Sequence, residues 1–452
     1  MQVTETLNEG LRREFRVVVP AADLDAKVNE RLDELKDRVR LNGFRPGKVP
    51  VQHLKRVYGK AVMAEAIEAA VQEVNAKIVN DNGYKLAGQP RVSMPETENE
   101  VNDLVAGKAD LAYSVAIEIL PKIELADFKG LKLEKLTTEV TDAEVDTGLA
   151  QIAEANRPYG AKGEGAKAEE GDRVTVSFTG TIDGEPFEGG SAEDVAIVLG
   201  SKNFLPGFEE QLIGIAAGET GAVEVTFPDA YPNANLQGKA ARFEVTAKTV
   251  EAPAALAVDD AFAQSLGLES LARLKDAVRE RIGRDHAAMT RQRLKRNLLD
   301  QLDERHKFDL PPSLVEQEFN NVWKTIEDDL KSQNRTFADE GTSEETVRAE
   351  YRKIAERRVR LGLVLAEIGE RNNIKVTDEE VSRSLAERVR QFPGQEQRVW
   401  ELYRRNPEAL ASVRAPLFEE KVVDFLVELA QVSEKTVSRE ELYKEDAGEA
   451  AA

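Results

Sequence analysis

Apolar residues recur at three- and four-residue spacing along most of the chain and at two-residue spacing in a few stretches. Leu24, Val28, Leu32, Leu35 and Val39 mark one helical face, and Leu54, Val57, Val62, Ile67, Val71, Val74 and Ile78 mark another. Between the two, residues 43–50 read Gly43-Phe44-Arg45-Pro46-Gly47-Lys48-Val49-Pro50. Two glycines and two prolines so close together cannot continue a helix, so the pattern predicts a tight tip joining two helices. Gly83 suits the end of the second helix. Residues 11–19, closed by Pro20, and residues 91–94 and 111–119 read as strands. Residues 1–120 are thus expected to form an α+β domain whose sheet packs the base of a protruding helix-loop-helix tip.

Residues 121–150 read as a connector. Within it Thr141-Asp142-Ala143-Glu144 has the form of a capping box, in which a threonine side chain and a glutamate satisfy the first free N–H groups of a helix. The same form recurs at Thr377-Asp378-Glu379-Glu380, as common helix-start chemistry rather than a repeated domain. Gly160, Gly163 and Gly165 make a flexible stretch. From Gly171 the period becomes two, through Val174, Val176 and Phe178 to Ile182, and Asp183-Gly184 then gives a strong hairpin signal. Further strands are expected at residues 222–227 and 241–250, with one short helix near residues 208–213. Residues 151–250 therefore read as a small, mostly β domain.

Ala252-Pro253-Ala254 marks its end, and residues 251–432 read as all-α with helical arms. The stripes are Leu271, Leu274, Val278 and Ile282; Val315, Phe319, Val322 and Ile326, opened by Pro311-Pro312-Ser313; Val347, Tyr351, Ile354, Leu361, Leu365 and Ile368; Val381, Leu385 and Val389; and Phe418, Val422, Phe425 and Leu429, with Pro416 near the start. Residues 433–452 are polar and read as a disordered tail.

Charge changes one part of this picture. The chain of 452 residues carries a formal net charge of −21, which argues against nucleic-acid binding over its whole surface. Yet the tip holds Arg45 and Lys48, and its flanks add Lys36, Arg38, Arg40, Lys55, Arg56 and Lys60 against Asp37. This basic pole would draw a phosphate-rich partner to one end of the molecule. A solvated turn with ordinary surface lysines would account for the charge alone. The chain has no cysteine, which removes disulfides, thiolate metal sites and cysteine nucleophiles. The first residues have neither a basic nor an apolar leader region, and no apolar run reaches the ~18 residues of a membrane helix, so a soluble cytoplasmic protein is expected. His53, His286 and His306 are scattered without ligand spacing and read as surface histidines; no metal and no cofactor are expected. Gly362 and Gly369 lie inside a helical stripe and do not form a phosphate loop. The helical part has no catalytic motif, and with only four Met its surface is not of the adaptable Met-rich kind.

Two motif sets carry a resemblance. Gly43-Phe44-Arg45-x-Gly47-Lys48-x-Pro50 resembles the ribosome-docking signature of the trigger factor family, bacterial chaperones that meet nascent chains at the exit tunnel. Family members often have Lys where this chain has Pro46. The β domain resembles an FKBP-type peptidyl-prolyl isomerase over residues 171–250. That likeness rests on Val174-x-Val176-x-Phe178-x-Gly180, Asp183-Gly184-x-x-Phe187-Glu188, Leu199-Gly200, Phe204-Leu205-Pro206-Gly207-Phe208, Phe227-Pro228-Asp229-Ala230-Tyr231 and Phe243-Glu244-Val245. The isomerase family usually has Tyr at Phe178, Asp at Glu188 and Trp at Phe208.

The resemblance implies a multidomain α+β chain with a ribosome-binding domain at residues 1–120, the connector at 121–150, the isomerase at 151–250 and a helical chaperone domain at 251–432. It also implies that the connector runs along the helical domain, which lies between the other two. By resemblance, Phe178, Phe187, Phe204, Leu205, Phe208, Tyr231 and Phe243 line a proline pocket, and Gly43, Phe44, Arg45, Pro46, Gly47 and Lys48 meet the ribosome. Seven apolar or aromatic residues in a small β domain would otherwise read as plain core. The partners implied are the ribosome, through ribosomal protein and RNA, and nascent or unfolded polypeptides, with no membrane and with a homodimer off the ribosome left open. The implied work is folding, export and cell division support together with X–Pro isomerisation. The alternative is a stand-alone isomerase whose helical arms dimerise or bind one partner, with no ribosome role.

Overall fold

The protein is described by a computed structural model covering residues 1–38, 49–95, 97–163, 165–228, 231, 233, 236–333, 335–337, 339 and 341–444. The basic tip at residues 43–48 lies outside the described residues, as do residues 445–452.

The first part is a sheet covered by two long helices. It runs β1 (Gln2–Glu9), β2 (Arg12–Val19), α1 (Ala21–Arg38), α2 (Val51–Asn82), β3 (Arg91–Ser93), α3 (Glu98–Val105) and β4 (Leu111–Glu118), with strand order β1-β2-β4-β3. Alternation decides which face is buried. Phe15, Val17 and Val19 of β2 and Leu111, Tyr113, Val115 and Ile117 of β4 point inward, onto Leu24, Val28 and Leu32 of α1 and Leu54, Val62 and Ile78 of α2. Each such large side chain contributes about 1.5–3 kcal/mol when fully buried. Lys27–Glu73 (2.6 Å) and Arg31–Glu65 (3.2 Å) pair the outer faces of α1 and α2. Gly83 ends α2 in the left-handed region at φ 63°, with its N–H on the Asn80 carbonyl, as its position predicts.

A five-stranded sheet carries the second core. Its elements are β6 (Tyr159–Ala161), β7 (Arg173–Ile182), β8 (Glu185–Val198), α5 (Phe208–Gln211), β9 (Thr220–Thr226) and β10 (Ala240–Pro253), after β5 (Lys132–Thr137) and α4 (Asp142–Ala155) of the connector. The sheet order is β6-β10-β7-β8, with β9 also on β10. Asp183 (φ 54°) and Gly184 (φ 87°) make the two-residue turn between paired Ile182 and Glu185. The chain enters and leaves side by side: Tyr159 pairs with Pro253, and the Ala254 N–H donates to the Pro158 carbonyl at 2.9 Å.

The rest is a helical body: α6 (Asp260–Ser265), α7 (Leu271–Arg305), α8 (Pro312–Ser332), α9 (Glu344–Arg371), α10 (Asp378–Val389), α11 (Glu396–Arg405) and α12 (Pro407–Leu429), then β11 (Gln431–Thr436) and α13 (Arg439–Leu442). The connector is built into it. Leu131 and Leu133 are fully buried among Leu298 and Leu302 of α7, Ile368 of α9 and Val422 and Leu426 of α12. Val145 and Leu149 of α4 pack on Phe262 and on Leu274 and Val278 of α7. Both expected capping boxes are formed, at Thr141/Glu144 and Thr377/Glu380. The first part meets this body through Lys85–Glu370 (2.7 Å) and through the Glu118 carboxylate, which accepts the Ser313 N–H at 2.9 Å.

Three expectations are corrected. Residues 433–444 are ordered, not a disordered tail: β11 pairs in parallel with β5 from Gln431↔Lys132 to Thr436↔Thr137, and Leu442 is buried. Every β11 side chain is exposed, so the strand leaves no apolar signature; it is held by its backbone ladder and by the Lys135–Glu434 ion pair to β5 at 2.7 Å. Pro416 is not near a helix start. α12 begins nine residues earlier, at Pro407, behind an Asn406 cap, and carries Pro416 in its interior. His286 and His306 are buried, not on the surface. The His306 ring bridges two backbone groups, with Nδ1 donating to the Leu302 carbonyl (2.7 Å) and Nε2 accepting from the Ala126 N–H (3.2 Å). His286 Nε2 sits 3.3 Å from the Glu144 carboxylate.

Candidate functional site: an aromatic cavity on the five-stranded sheet

The period-two pattern of β7 and β10 sends Phe178 and Phe243 to the same side of adjacent strands, where their rings meet edge to face at 5.7 Å. The Asp183-Gly184 turn brings the chain back so that Phe187 of β8 lies 6.1 Å from Phe243, again edge on. Phe208, the first residue of α5, forms the floor. It is buried and touches Phe178 (5.9 Å) and Phe243 (5.4 Å) edge on, and stacks on Phe204 (5.4 Å, 27°). Phe227 links Phe187 (5.9 Å) to Tyr231 (4.7 Å). Edge-to-face pairs of this kind are each worth about 0.5–1.5 kcal/mol beyond area burial, so the wall is set by mutual ring contact.

Two glycines make room. A Cβ at Gly180 would lie 2.5 Å from Phe243 Cε1, and one at Gly190 would lie 2.9 Å from Phe187 Cε1. Any larger residue at either place would drive an aromatic ring out of position.

The result is one cavity of about 650 Å³. All seven residues expected to line a proline pocket are on it: Phe178, Phe187, Phe204, Leu205, Phe208, Tyr231 and Phe243. The cavity also takes in Asn203, Pro206, Phe227 and Leu236, which the sequence reading did not place there. Phe227 could have been found, because it opens the Phe-Pro-x-x-Tyr turn four residues before Tyr231. Leu236 carries no comparable signal. The Glu188 side chain lies outside the described residues. The lining is mostly apolar, with a phenol at one edge, and suits an apolar ring and a polarisable amide.

The basic pole is described only at its base. Val49 is buried against the two-helix core, Pro50 opens α2, and Lys55 is already paired with Asp25 at 3.0 Å. Gly43, Phe44, Arg45, Pro46, Gly47 and Lys48 lie outside the described residues. Elsewhere, Phe392, Trp400 and Leu402 leave much of their side chains exposed around α11, a helix with no buried residue. Among the described residues no helix is long and apolar enough to cross a membrane.

Comparison with known proteins covers the whole chain. Residues 1–152 match the family described as bacterial trigger factor protein, and residues 270–428 match the bacterial trigger factor C-terminus. Residues 164–248 match the FKBP-type peptidyl-prolyl cis-trans isomerase family. Similar curated proteins include the trigger factors of Azorhizobium caulinodans, 64% identical over 451 residues and 100% of both chains, and Xanthobacter autotrophicus, 63% identical over 446 residues, 99% of this chain and 98% of that one. A solved structure reported for promiscuous substrate recognition in folding and assembly by the trigger factor chaperone shares the fold at a TM-score of 0.55. It is 19% identical, covering 95% of this chain and 99% of that one. Both terminal segments match one family.

Proposed function

The chain belongs to the trigger factor family, and from that premise we propose a division of labour among its parts. It is a chaperone that carries an FKBP-type peptidyl-prolyl isomerase. In our reading, residues 1–120 dock on the ribosome at the exit tunnel, in the cytoplasm. Gly43, Phe44, Arg45, Pro46, Gly47 and Lys48 meet ribosomal protein and RNA there. Residues 251–432, with the connector at 121–150, hold nascent and unfolded chains, and residues 151–250 turn over X–Pro bonds.

The observation that carries the isomerase half is the meeting of all seven expected residues on one aromatic cavity. Rotation about an X–Pro bond faces a barrier of about 18–20 kcal/mol because amide resonance is lost at the top. No bond to carbon forms or breaks. A dry aromatic wall disfavours the planar, more dipolar amide relative to the twisted one. The proline ring rests against the wall made by Phe178, Phe187, Phe208 and Phe243, and the Tyr231 hydroxyl can donate to a substrate carbonyl. Exposed Phe392, Trp400 and Leu402 on the arm at α11 suit the holding of apolar segments.

Docking rests on the concentration of cations at the tip of an acidic chain and on the rigid two-helix base beneath it. Cosedimentation with purified ribosomes tests it. The double variant Phe44→Ala/Arg45→Ala is expected to lose pelleting with its fold intact, and parent affinity is expected to fall with salt. Pelleting of the double variant at the parent's level would refute the docking assignment.

A further inference from the structure

Resting on the isomerase pocket above, we propose that Glu209 is a positioning residue for isomerisation, holding the Ser201 to Phe204 loop so that the rim of the cavity is formed before substrate arrives.

The geometry is unusual for a carboxylate one residue from a cavity floor. Glu209 follows Phe208 in α5 and is buried, 6% exposed, yet its hydrogen-bond donors are backbone N–H groups and one hydroxyl, not charged side chains. Its Oε1 accepts from the N–H groups of Asn203 (2.9 Å) and Phe204 (3.1 Å) and from the Ser201 hydroxyl (3.1 Å). Its Oε2 accepts from the Lys202 N–H (2.9 Å). Four donors from four consecutive residues thus converge on one side chain. Lys202 sits in the left-handed region at φ 58°, a conformation unfavourable for a residue with a Cβ, and its N–H is one of those donors. Burial pushes the Glu209 carboxyl up, but the backbone N–H groups of Lys202, Phe204 and Asn203 and the Ser201 hydroxyl hold it below the ordinary range.

The loop so gathered leads straight into the rim: Asn203, Phe204, Leu205 and Pro206 all line the cavity, and Phe204 stacks on Phe208. An ionised carboxylate accepts at every position and donates at none. A glutamine of the same shape would set its NH₂ against an N–H of the loop, leaving buried donors unmatched. The rim would then be correctly formed in only a fraction of molecules. Apparent substrate affinity falls by that fraction, while the chemistry in correctly formed molecules is unchanged.

The test is steady-state isomerisation of an X–Pro peptide by the full-length chain, with kcat and KM separated, for the parent, E209Q, S201A and F187A. For E209Q, KM is expected to rise about tenfold with kcat within about twofold of the parent, the signature of a smaller competent fraction. A purely structural role would reduce the folded fraction, lowering kcat at unchanged KM, and that result overturns the inference. Should E209Q fail to fold, S201A removes one donor and keeps the carboxylate. Its KM is expected to rise about two- to threefold, and an unchanged KM overturns the inference. Loss of activity in F187A with parent-like kinetics in E209Q and S201A refutes the role of Glu209 alone. Parent-like kinetics in all three variants refutes the pocket assignment on which it rests.

Discussion

Phe187→Ala should cost the β domain little stability and the isomerase much activity. The ring makes two edge-to-face pairs, with Phe227 at 5.9 Å and Phe243 at 6.1 Å. At about 0.5–1.5 kcal/mol each, their loss removes about 1–3 kcal/mol. Phe187 is only half-buried, so the cavity it leaves opens to solvent instead of staying as an internal void. Against a typical stability of about 5–15 kcal/mol the domain remains folded. For substrate the loss is larger in proportion. A proline face of about 60 Å² left without its wall loses about 1.5 kcal/mol at about 25 cal/mol per Å². That corresponds to about tenfold in kcat/KM. The assay is catalysed cis–trans exchange of an X–Pro peptide, whose uncatalysed exchange takes about tens to hundreds of seconds. Circular dichroism confirms the fold. Phe319→Ala is the matched control, because Phe319 is buried on α8 and stacks on Trp323 at 5.7 Å, far in sequence from the cavity lining. It should lower stability and leave exchange at the parent's rate. Parent-like kcat/KM in folded F187A, or an equal loss in F319A, would refute the reasoning.

Gly180→Ala should push the Phe243 ring into the cavity, since the new Cβ would stand 2.5 Å from it; isomerase activity and melting temperature should fall together, and unchanged kinetics would contradict the close approach. Burial raises the Tyr113 hydroxyl pKa to about 12, while the unfolded chain titrates near 10. Its stability contribution is therefore complete below about pH 10 and lost as pH rises toward 12. Urea midpoints at pH 9 and pH 11 should fall further for the parent than for Tyr113→Phe, and equal falls would exclude this source. Ending the chain after Ala430 removes the partner of β5 and buried Leu442, so amide exchange at β5 should accelerate with isomerisation unchanged; unaltered β5 exchange would contradict the structural role of β11.

What could be read from the sequence was what chemistry and periodicity write locally. The Asp183-Gly184 turn, the Gly83 cap and the two capping boxes each depend on residues within four positions of one another. The seven cavity residues were visible because short motifs fix their order. The parts that escaped depend on distant partners or on backbone alone. β1 is almost wholly exposed along its length and has no apolar face to betray it. β11 is specified by β5, some 300 positions earlier, through ladder hydrogen bonds, the Ser433 hydroxyl on the Leu133 carbonyl and the Lys135–Glu434 ion pair, none of which leaves an apolar pattern. His306 is buried because two backbone groups, one of them Ala126, complete its ring's hydrogen bonds, which no local spacing encodes. α12 keeps Pro416 in its interior, with Val413 buried before it and Val422 after it, so tertiary packing overrides a local breaker.

The central claim is that holding and isomerising are separate jobs of separate parts. The two use different physics: one small slot fits one proline, whereas holding an unfolded chain needs apolar area spread over many residues. The structure makes the separation easy to test, because Pro158 and Ala254 are hydrogen-bonded neighbours and, among the described residues, the cores of the other parts draw none from residues 159–253. The measurement is light scattering from an aggregating test protein, with the parent and a variant whose residues 159–253 are replaced by a short Gly/Ser bridge, at matched concentration. The variant should have no isomerase activity and keep most of the protection. Loss of protection to the level of buffer, in a variant whose helical content is intact, would contradict the claim.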